Sequence, residues 1–516
     1  MKKLKELYKE IVANRGKPID YWEIAALLEV YGLRDVDAKE YGFNNIFDMA
    51  KYMQRYVDDY DYEEKHFEEK IPPTFRRIIV NYLKGLAFAM PMFLQVFFTL
   101  VLGYGIWSGL NIDKLNATLI ALGTFLALLV TGGFIQAIGR KGLFYLKQLE
   151  HTLAVKITLY LLGISILSVV IFSFVLIFLN YFFEFLRWCD FWHFYFFYLL
   201  LSLFFIGISV FQVFEEYFTI FGLFLVGMVI VYIFYKLLNF DLISSQIYAL
   251  IVLNIITYIF ALLRLYILKK NSISEGEKLS KPSIIFYTLI VFFIYGFFYF
   301  LFLITDRLVA WSVESELKPM AIWFNVRYEV GVDWALITLV LLIGVAEVSI
   351  YEFIYRINKN IKKYKFNEYK KLNKKLLRFY IVFNIVYVVF SVLAIIAVYY
   401  VVKYLYIHYH YEFLGDFFIG YTPFVYWIAS VSYVFLVHAL INVLFIFSFS
   451  REVVISKAII FATIVDIIIG MILSRAFGAE YAVFGLLAGS LIFWFYSIRY
   501  AYKMFKNLEY YYYSAM

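Results

Sequence analysis

From about residue 82 onward the chain alternates apolar runs with short polar connections. The runs repeatedly reach roughly 18 to 25 residues, the length a helix needs to cross about 30 Å of hydrocarbon. About twelve can be counted, over 82–106, 117–138, 153–180, 194–213, 218–236, 245–267, 284–304, 334–357, 379–402, 418–448, 453–474 and 481–500. The pattern predicts an all-α polytopic membrane protein. The first run begins near Leu83, late and long for a cleaved signal peptide, so it is expected to be retained.

Residues 1–80 read differently. Trp22, Ala25, Ala26 and Leu28, then Ile46, Met49 and Met53, recur at helical spacing, with Gly32 and Gly42 as breaks. YVDDYDYEEKHFEEKIPP follows as an acidic linker ending at Pro72 and Pro73. This predicts a small helical domain outside the membrane.

Lysine and arginine in the connections set the orientation. GRKGLFYLKQLEH, LKKNSISEGEKLSK, YRINKNIKKYKFNEYKKLNKKLLR and SREVVISK all fall on one side, as does the tail RYAYKMFKNLEY. FEFLRWCD and VESELKP, on the other side, are neutral or acidic. Both termini are therefore expected in the cytosol of a cell-membrane protein. Glu215 and Glu216 sit against this trend, in a turn expected to be cytosolic. Trp107, Trp188, Trp192, Trp311, Trp323 and Trp334 fall at the expected outer edge, as an interfacial belt would. The basic connector 268–283 divides the spans into a first lobe, 81–267, and a second, 284–500, followed by the tail 501–516. Two six-helix lobes with the pathway between them is a common transporter plan.

Composition agrees: 64% of residues are hydrophobic, 22% aromatic, and mean hydropathy is +0.77. The net charge of +8 signals less than its distribution does, and no nucleic-acid partner is implied. Cys189 alone forms no internal disulfide and no metal cluster. GxxxxGK[ST], HExxH and paired CxxC are missing, so neither a P-loop nor a resident metal or other cofactor is expected. His408 and His410 beside Glu412 suit a wet interfacial loop better than a metal site.

Ionisable groups at membrane depth are rare and normally face a protein interior or a watery cavity. Five places qualify. Gln136 and Arg140 lie one turn apart in TGGFIQAIGRKGLFYLKQLEH; they line a cytosolic entrance or belong to a basic interfacial helix. Glu347, Tyr351 and Tyr355 share a helix face, and Glu352 can pair with Arg356. Asp466 falls mid-span with Thr463 and Gly470 on its face; it is either functional or a packing aspartate. Arg475 and Glu480 read as a solvated outer turn. Asp306 and Arg307 stand just past the seventh span, at the outer rim.

Two regions carry a resemblance. Residues 450–513, from SREVVISK through YAVFGLLAGS to the aromatic tail, look like the end of the lipid-linked saccharide flippases of the MATE/MOP superfamily. Asp306-Arg307 with Trp311, then Tyr328-Glu329-Val330-Gly331-Val332, then Glu347 with Tyr351 and Arg356, resembles the Pel exopolysaccharide transporter family. The stretch around Gln136 is similar to the second span of the superfamily. The chain departs from the Pel pattern in its head of about 80 residues and in Arg307 and Glu329, which stand where Lys and Asp are usual.

The resemblance implies a MATE/MOP-like flippase, not an enzyme, that exports a polysaccharide or lipid-linked saccharide by alternating access. A cytosolic glycosyltransferase or synthase would be its partner. Glu347 and Asp466 would couple to protons or cations, since a buried acid can hold and release a proton. Tyr351, Gln136 and Arg140 would line the pathway. Asp306 and Arg307 would gate its outer mouth by bonding across to the opposite lobe. A small-molecule antiporter of the same fold, a membrane enzyme acting on lipid-linked sugars, and a working head merely anchored by the spans are the rival readings.

Overall fold

The computed structural model describes residues 20–30, 33–59, 74–109, 112–148, 150–270, 279–313, 322–361, 368–409 and 420–514, with a few isolated positions between them. The described helices are α1 (Tyr21–Val30), α2 (Asp35–Glu40), α3 (Ile46–Asp59), α4 (Thr74–Leu102), α5 (Lys114–Lys147), α6 (His151–Phe183), α7 (Trp188–Val213) and α8 (Tyr217–Tyr232). There follow α9 (Leu242–Lys270), α10 (Pro282–Trp311), α11 (Val326–Ile361), α12 (Tyr369–Tyr409), α13 (Thr422–Phe447), α14 (Glu452–Phe477), α15 (Val483–Lys506) and α16 (Leu508–Tyr513). Eleven of these are long and apolar enough to cross a membrane. The bent α4 would make a twelfth: Thr74–Pro91 and Phe93–Thr99 meet at 54°. Pro91 accounts for the bend, because it removes one backbone donor and its ring clashes with the carbonyl one turn back.

The chain divides into two compact units, one of residues 1–80, 349–385 and 502–516, the other of 81–348 and 386–501. In the first, Ile24, Ala25 and Leu28 of α1 pack with Ile46, Met49 and Met53 of α3 and with Ala38. Trp22 and Ala26 were expected in that core and instead face outward, Trp22 lying edge-on to Phe47. The inward stripe runs 24–25–28, and Trp22 falls off it. The same unit holds Arg77, which donates from Nε and Nη2 to the two carboxylate oxygens of Glu352, at 2.5 and 3.1 Å, and stands over the ring of Tyr355. The expected Glu352–Arg356 pair is present at 3.6 Å, as the lesser contact of Glu352.

In the second unit, α5 packs on α6, α7 and α10, while α10 also packs along α14. The α5–α10 approach requires glycine: a Cβ on Gly296 would lie 2.4 Å from the carbonyl oxygen of Gly132. Buried polar groups close one end of the first six spans. Gln95 bonds Ser108 and the backbone of Ile106, and Gln246 donates to the carbonyls of Gly105 and Ser108. Large apolar side chains on α6, α9 and α12, such as Phe174, Phe178, Leu262, Val388 and Val389, are exposed, as a lipid-facing surface would be.

Glu215 and Glu216 have local partners. Lys147 binds Glu215 at 3.0 Å and Arg264 binds Glu216 at 2.6 Å, so two acids in a basic region are neutralised in place. The tryptophan belt holds only in part. Trp188 and Trp192 are exposed, whereas Trp311, Trp323 and Trp334 are buried. His410 and Glu412 lie outside the described residues.

Candidate functional site

The seventh span runs seven residues beyond the end its hydropathy suggests, to Trp311. Asp306 and Arg307 are therefore inside a helix, Asp306 buried and Arg307 partly buried, not past its end at a wet rim. The charges lower the local hydropathy, but each is answered by a neighbouring helix, so the helix continues through them.

Successive positions on α10 project about 100° apart, so the two residues face different partners. Tyr328 of α11 donates its hydroxyl to Oδ2 of Asp306 at 2.8 Å. Arg307 reaches Glu329 at 2.5 Å and Asp333 at 3.3 Å, one turn apart on α11. Tyr433 of α13 lies beside the same guanidinium. Trp311, one turn beyond Arg307, donates its indole N–H to Oε1 of Glu329 at 2.9 Å. Asn325 fixes the start of α11: its side-chain oxygen accepts from the backbone N–H of Tyr328 at 3.1 Å and from the hydroxyl of Tyr421 at 2.9 Å. Both expected gate residues thus bond within the second lobe. At this end of α10, α5 is met by Trp311, whose ring stacks on Phe125 at 5.3 Å, and by the backbone N–H of Phe324, which donates to Thr118 at 3.0 Å.

Asp466 completes the cluster from α14. Ser456 bonds the carbonyl of Val291, Thr463 approaches that of Phe298, and Gly470 faces Val309. These contacts run in the same direction along both helices, so α10 and α14 are parallel. Asp466, between Thr463 and Gly470, is fully buried at the level of Phe302 and Asp306 and interacts electrostatically with Asp306 and Tyr328. Gly485 and Gly489 of α15 make room for it; a Cβ on Gly485 would lie 2.5 Å from Oδ1 of Asp466. Both carboxyl oxygens of Asp466, and Oδ1 of Asp306, are sealed from solvent and have no hydrogen-bond partner among the described residues.

Glu329 and Asp333 thus share the guanidinium of Arg307, on which Asp306 acts through space, while Asp466 interacts with Asp306. Burying a carboxylate without a counter-charge is costly, so the arrangement calls for protons or cations in addition to Arg307. Among the described residues no group of three or more acids, histidines or cysteines is placed to hold a metal ion.

The other expected site residues lie elsewhere. Glu347 is on α11 eighteen residues after Glu329, about 27 Å along the helix. It packs on Gly85 of α4, and Lys84, Lys147 and Glu215 act on it only through space. Tyr351 is exposed. Gln136 and Arg140 face α10 near its start, where Arg140 stands over the rings of Phe447 and Phe292.

Sequence reasoning passed over Asp333, Tyr433 and His438. Asp333 had a signal, since YEVGVD puts it one turn after Glu329 on the same face. Tyr433 and His438 are single polar residues in an apolar helix, and only the fold reveals their neighbours; His438 accepts from the indole of Trp494 at 2.9 Å.

No protein-family model matches the chain, and neither does any curated protein. Solved structures do. A mutant of the Vibrio cholerae MATE transporter VcmN superposes with a TM-score of 0.59 at 12% identity, over 83% of this chain and 96% of that one. The outward-facing conformation of a multidrug resistance MATE family transporter of the MOP superfamily gives 0.54 at 11% identity, over 83% and 97%. A MOP superfamily transporter from Pyrococcus furiosus, described as having a binding pocket of reversed polarity, gives 0.52 at 11% identity, over 83% and 97%. The chain therefore has the fold of the MATE transporters of the MOP superfamily.

Proposed function

We propose that the chain is a proton-coupled, alternating-access transporter of the cell membrane that exports a polysaccharide or a lipid-linked saccharide. The coupling rests on one observation: Glu329 and Asp333 share Arg307, while Asp306 and Asp466 face each other with three carboxyl oxygens sealed and without hydrogen-bond partners among the described residues. A proton on the Asp306–Asp466 pair supplies the missing positive charge. Its departure leaves two like charges facing each other on α10 and α14, which favours a different packing of these helices. Trp311 lies five residues beyond Asp306 on α10 and carries the stacking contact to Phe125, so a shift of α10 is felt at the seam between the lobes. A proton that binds one packing more tightly than the other moves the equilibrium between them, as coupling requires. Asp306 and Arg307 then act as the base of an outer gate whose moving contact is Trp311. Glu347, far along α11, is assigned to the opposite entrance.

The saccharide is supported by the motif order Asp306-Arg307-Trp311, Tyr328-Glu329 and Glu347-Tyr351-Arg356. The distribution of lysine and arginine supports cytosolic termini, where a synthase could feed the polymer. A small-molecule antiporter is the second reading, favoured by the multidrug transporter among the proteins of the same fold. The test is uptake of a labelled oligosaccharide, and separately of a cationic dye, into proteoliposomes with an imposed proton or sodium gradient. Proton-driven oligosaccharide movement that is lost in Asp466→Asn supports the proposal. Gradient-driven transport that survives in Asp466→Asn removes the cluster from coupling, and dye transport alone selects the antiporter.

A further inference from the structure

Arg140 is held differently from Arg264, Arg307 and Arg475. Among the described residues Arg264 and Arg307 each meet a carboxylate, and Arg475 meets the hydroxyls of Ser312 and Ser474. Arg140 has no ion pair and no hydrogen bond among the described residues. Its guanidinium stands 4.7 Å from the ring centre of Phe447 and 5.6 Å from that of Phe292. Those rings pack edge-on to each other at 5.5 Å, and Tyr295 closes on Phe447 at 5.2 Å. Glu452 acts on the guanidinium only through space.

Aromatic rings stabilise a guanidinium through its face. Rings do not take up N–H donors as a carboxylate does, and those donors form the fork that binds oxyanions bidentately. Gln136, one turn earlier on the same face of α5, packs its Cγ on Gly296 of α10 and brings an amide to that face. An arginine held by rings rather than by an acid keeps its charge available to a ligand.

We infer that Arg140, with Gln136, forms a binding site for a phosphate-type oxyanion, either the phosphate of a lipid-linked substrate or the headgroup of a phospholipid. Its role as a substrate subsite rests on the transporter reading above; the binding itself does not. A fixed guanidinium near the start of α10 would select phosphorylated cargo over neutral sugar, and it lies apart from the acid cluster, so substrate charge and coupling protons use different residues.

The experiment uses the full chain in phosphatidylcholine nanodiscs. Inorganic pyrophosphate is titrated at constant ionic strength, with thermal unfolding followed by tryptophan fluorescence and sodium chloride as the control. The expected result is stabilisation by pyrophosphate and not by chloride. Its half-saturating concentration should rise about tenfold or more in Arg140→Gln, as loss of a charge-assisted bond implies, and by less in Arg140→Lys. In nanodiscs with added phosphatidylglycerol, loss of the pyrophosphate response assigns the site to a headgroup, and its persistence assigns it to a phosphorylated substrate. Equal responses in wild type and Arg140→Gln would overturn the site. If Arg140→Gln does not fold, the wild type decides: no response to pyrophosphate in phosphatidylcholine nanodiscs overturns it too. Neither result depends on gradient-driven transport, so failure here and failure of the coupling proposal are separable.

Discussion

Trp311 holds Glu329 with its indole N–H at 2.9 Å while its ring stacks on Phe125 at 5.3 Å. One side chain thus joins the buried acid cluster of the second lobe to a helix of the first. Trp311→Phe keeps a ring for Phe125 and removes the donor, leaving an oxygen of Glu329 unpaired. The expected cost is about 1–3 kcal/mol of stability, read as a lower unfolding midpoint in detergent. A midpoint equal to that of wild type would mean that the indole bond contributes nothing.

Arg307 is the guanidinium that Glu329 and Asp333 share. Arg307→Ala strands Glu329 and Asp333 and is expected to destabilise by roughly 3–5 kcal/mol, the range for breaking a buried pair. Arg307→Lys restores the charge but not the fork that spans two acids one turn apart, so it should recover only part of the loss. Full recovery in the lysine variant would show that charge alone matters there.

Asp466 is expected to set stability against function. Neither of its carboxyl oxygens has a partner, and it faces Asp306. Asp466→Asn removes a potential like-charge contact, so the variant should unfold at a temperature no lower than wild type while losing gradient-driven transport. A variant that is both less stable and still coupled would mark Asp466 as a packing residue.

Gly485 can be tested by size alone. A Cβ there would lie 2.5 Å from both the backbone oxygen and Oδ1 of Asp466. Gly485→Ala is expected to cost about 1–3 kcal/mol, as overpacking does, whereas Gly163→Ala, with nothing within 4 Å of its Cβ, should be close to neutral. Thermal melts of the two variants compare them directly.

Glu347→Gln separates the two ends of α11. If Glu347 lines an entrance, the variant keeps its dependence on the proton gradient and changes only the substrate concentration at half-maximal rate. Loss of gradient dependence in that variant would return Glu347 to the coupling machinery.

The sequence by itself determined where the helices run. Burying some twenty apolar residues in hydrocarbon is a local property, so each span from Lys114 to Lys506 was legible, as were the helical face of Thr463, Asp466 and Gly470 and the i,i+4 pair Glu352–Arg356. Hydropathy set several boundaries short, as at 117–138 against Lys114–Lys147 and 334–357 against Val326–Ile361. It ended the seventh span before Asp306, because a transfer scale assigns charges the cost of lipid when here they meet partners. Those partners were a matter for the tertiary structure. Tyr328 and Glu329 approach Asp306 and Arg307 across 22 residues, and Asp466 arrives from α14 through a parallel packing that glycines on α15 allow. Electrostatic interaction falls off over a few ångströms while sequence separation places no limit on approach, so the fold alone brought scattered acids into one site and left Arg140 without an ion pair among the described residues.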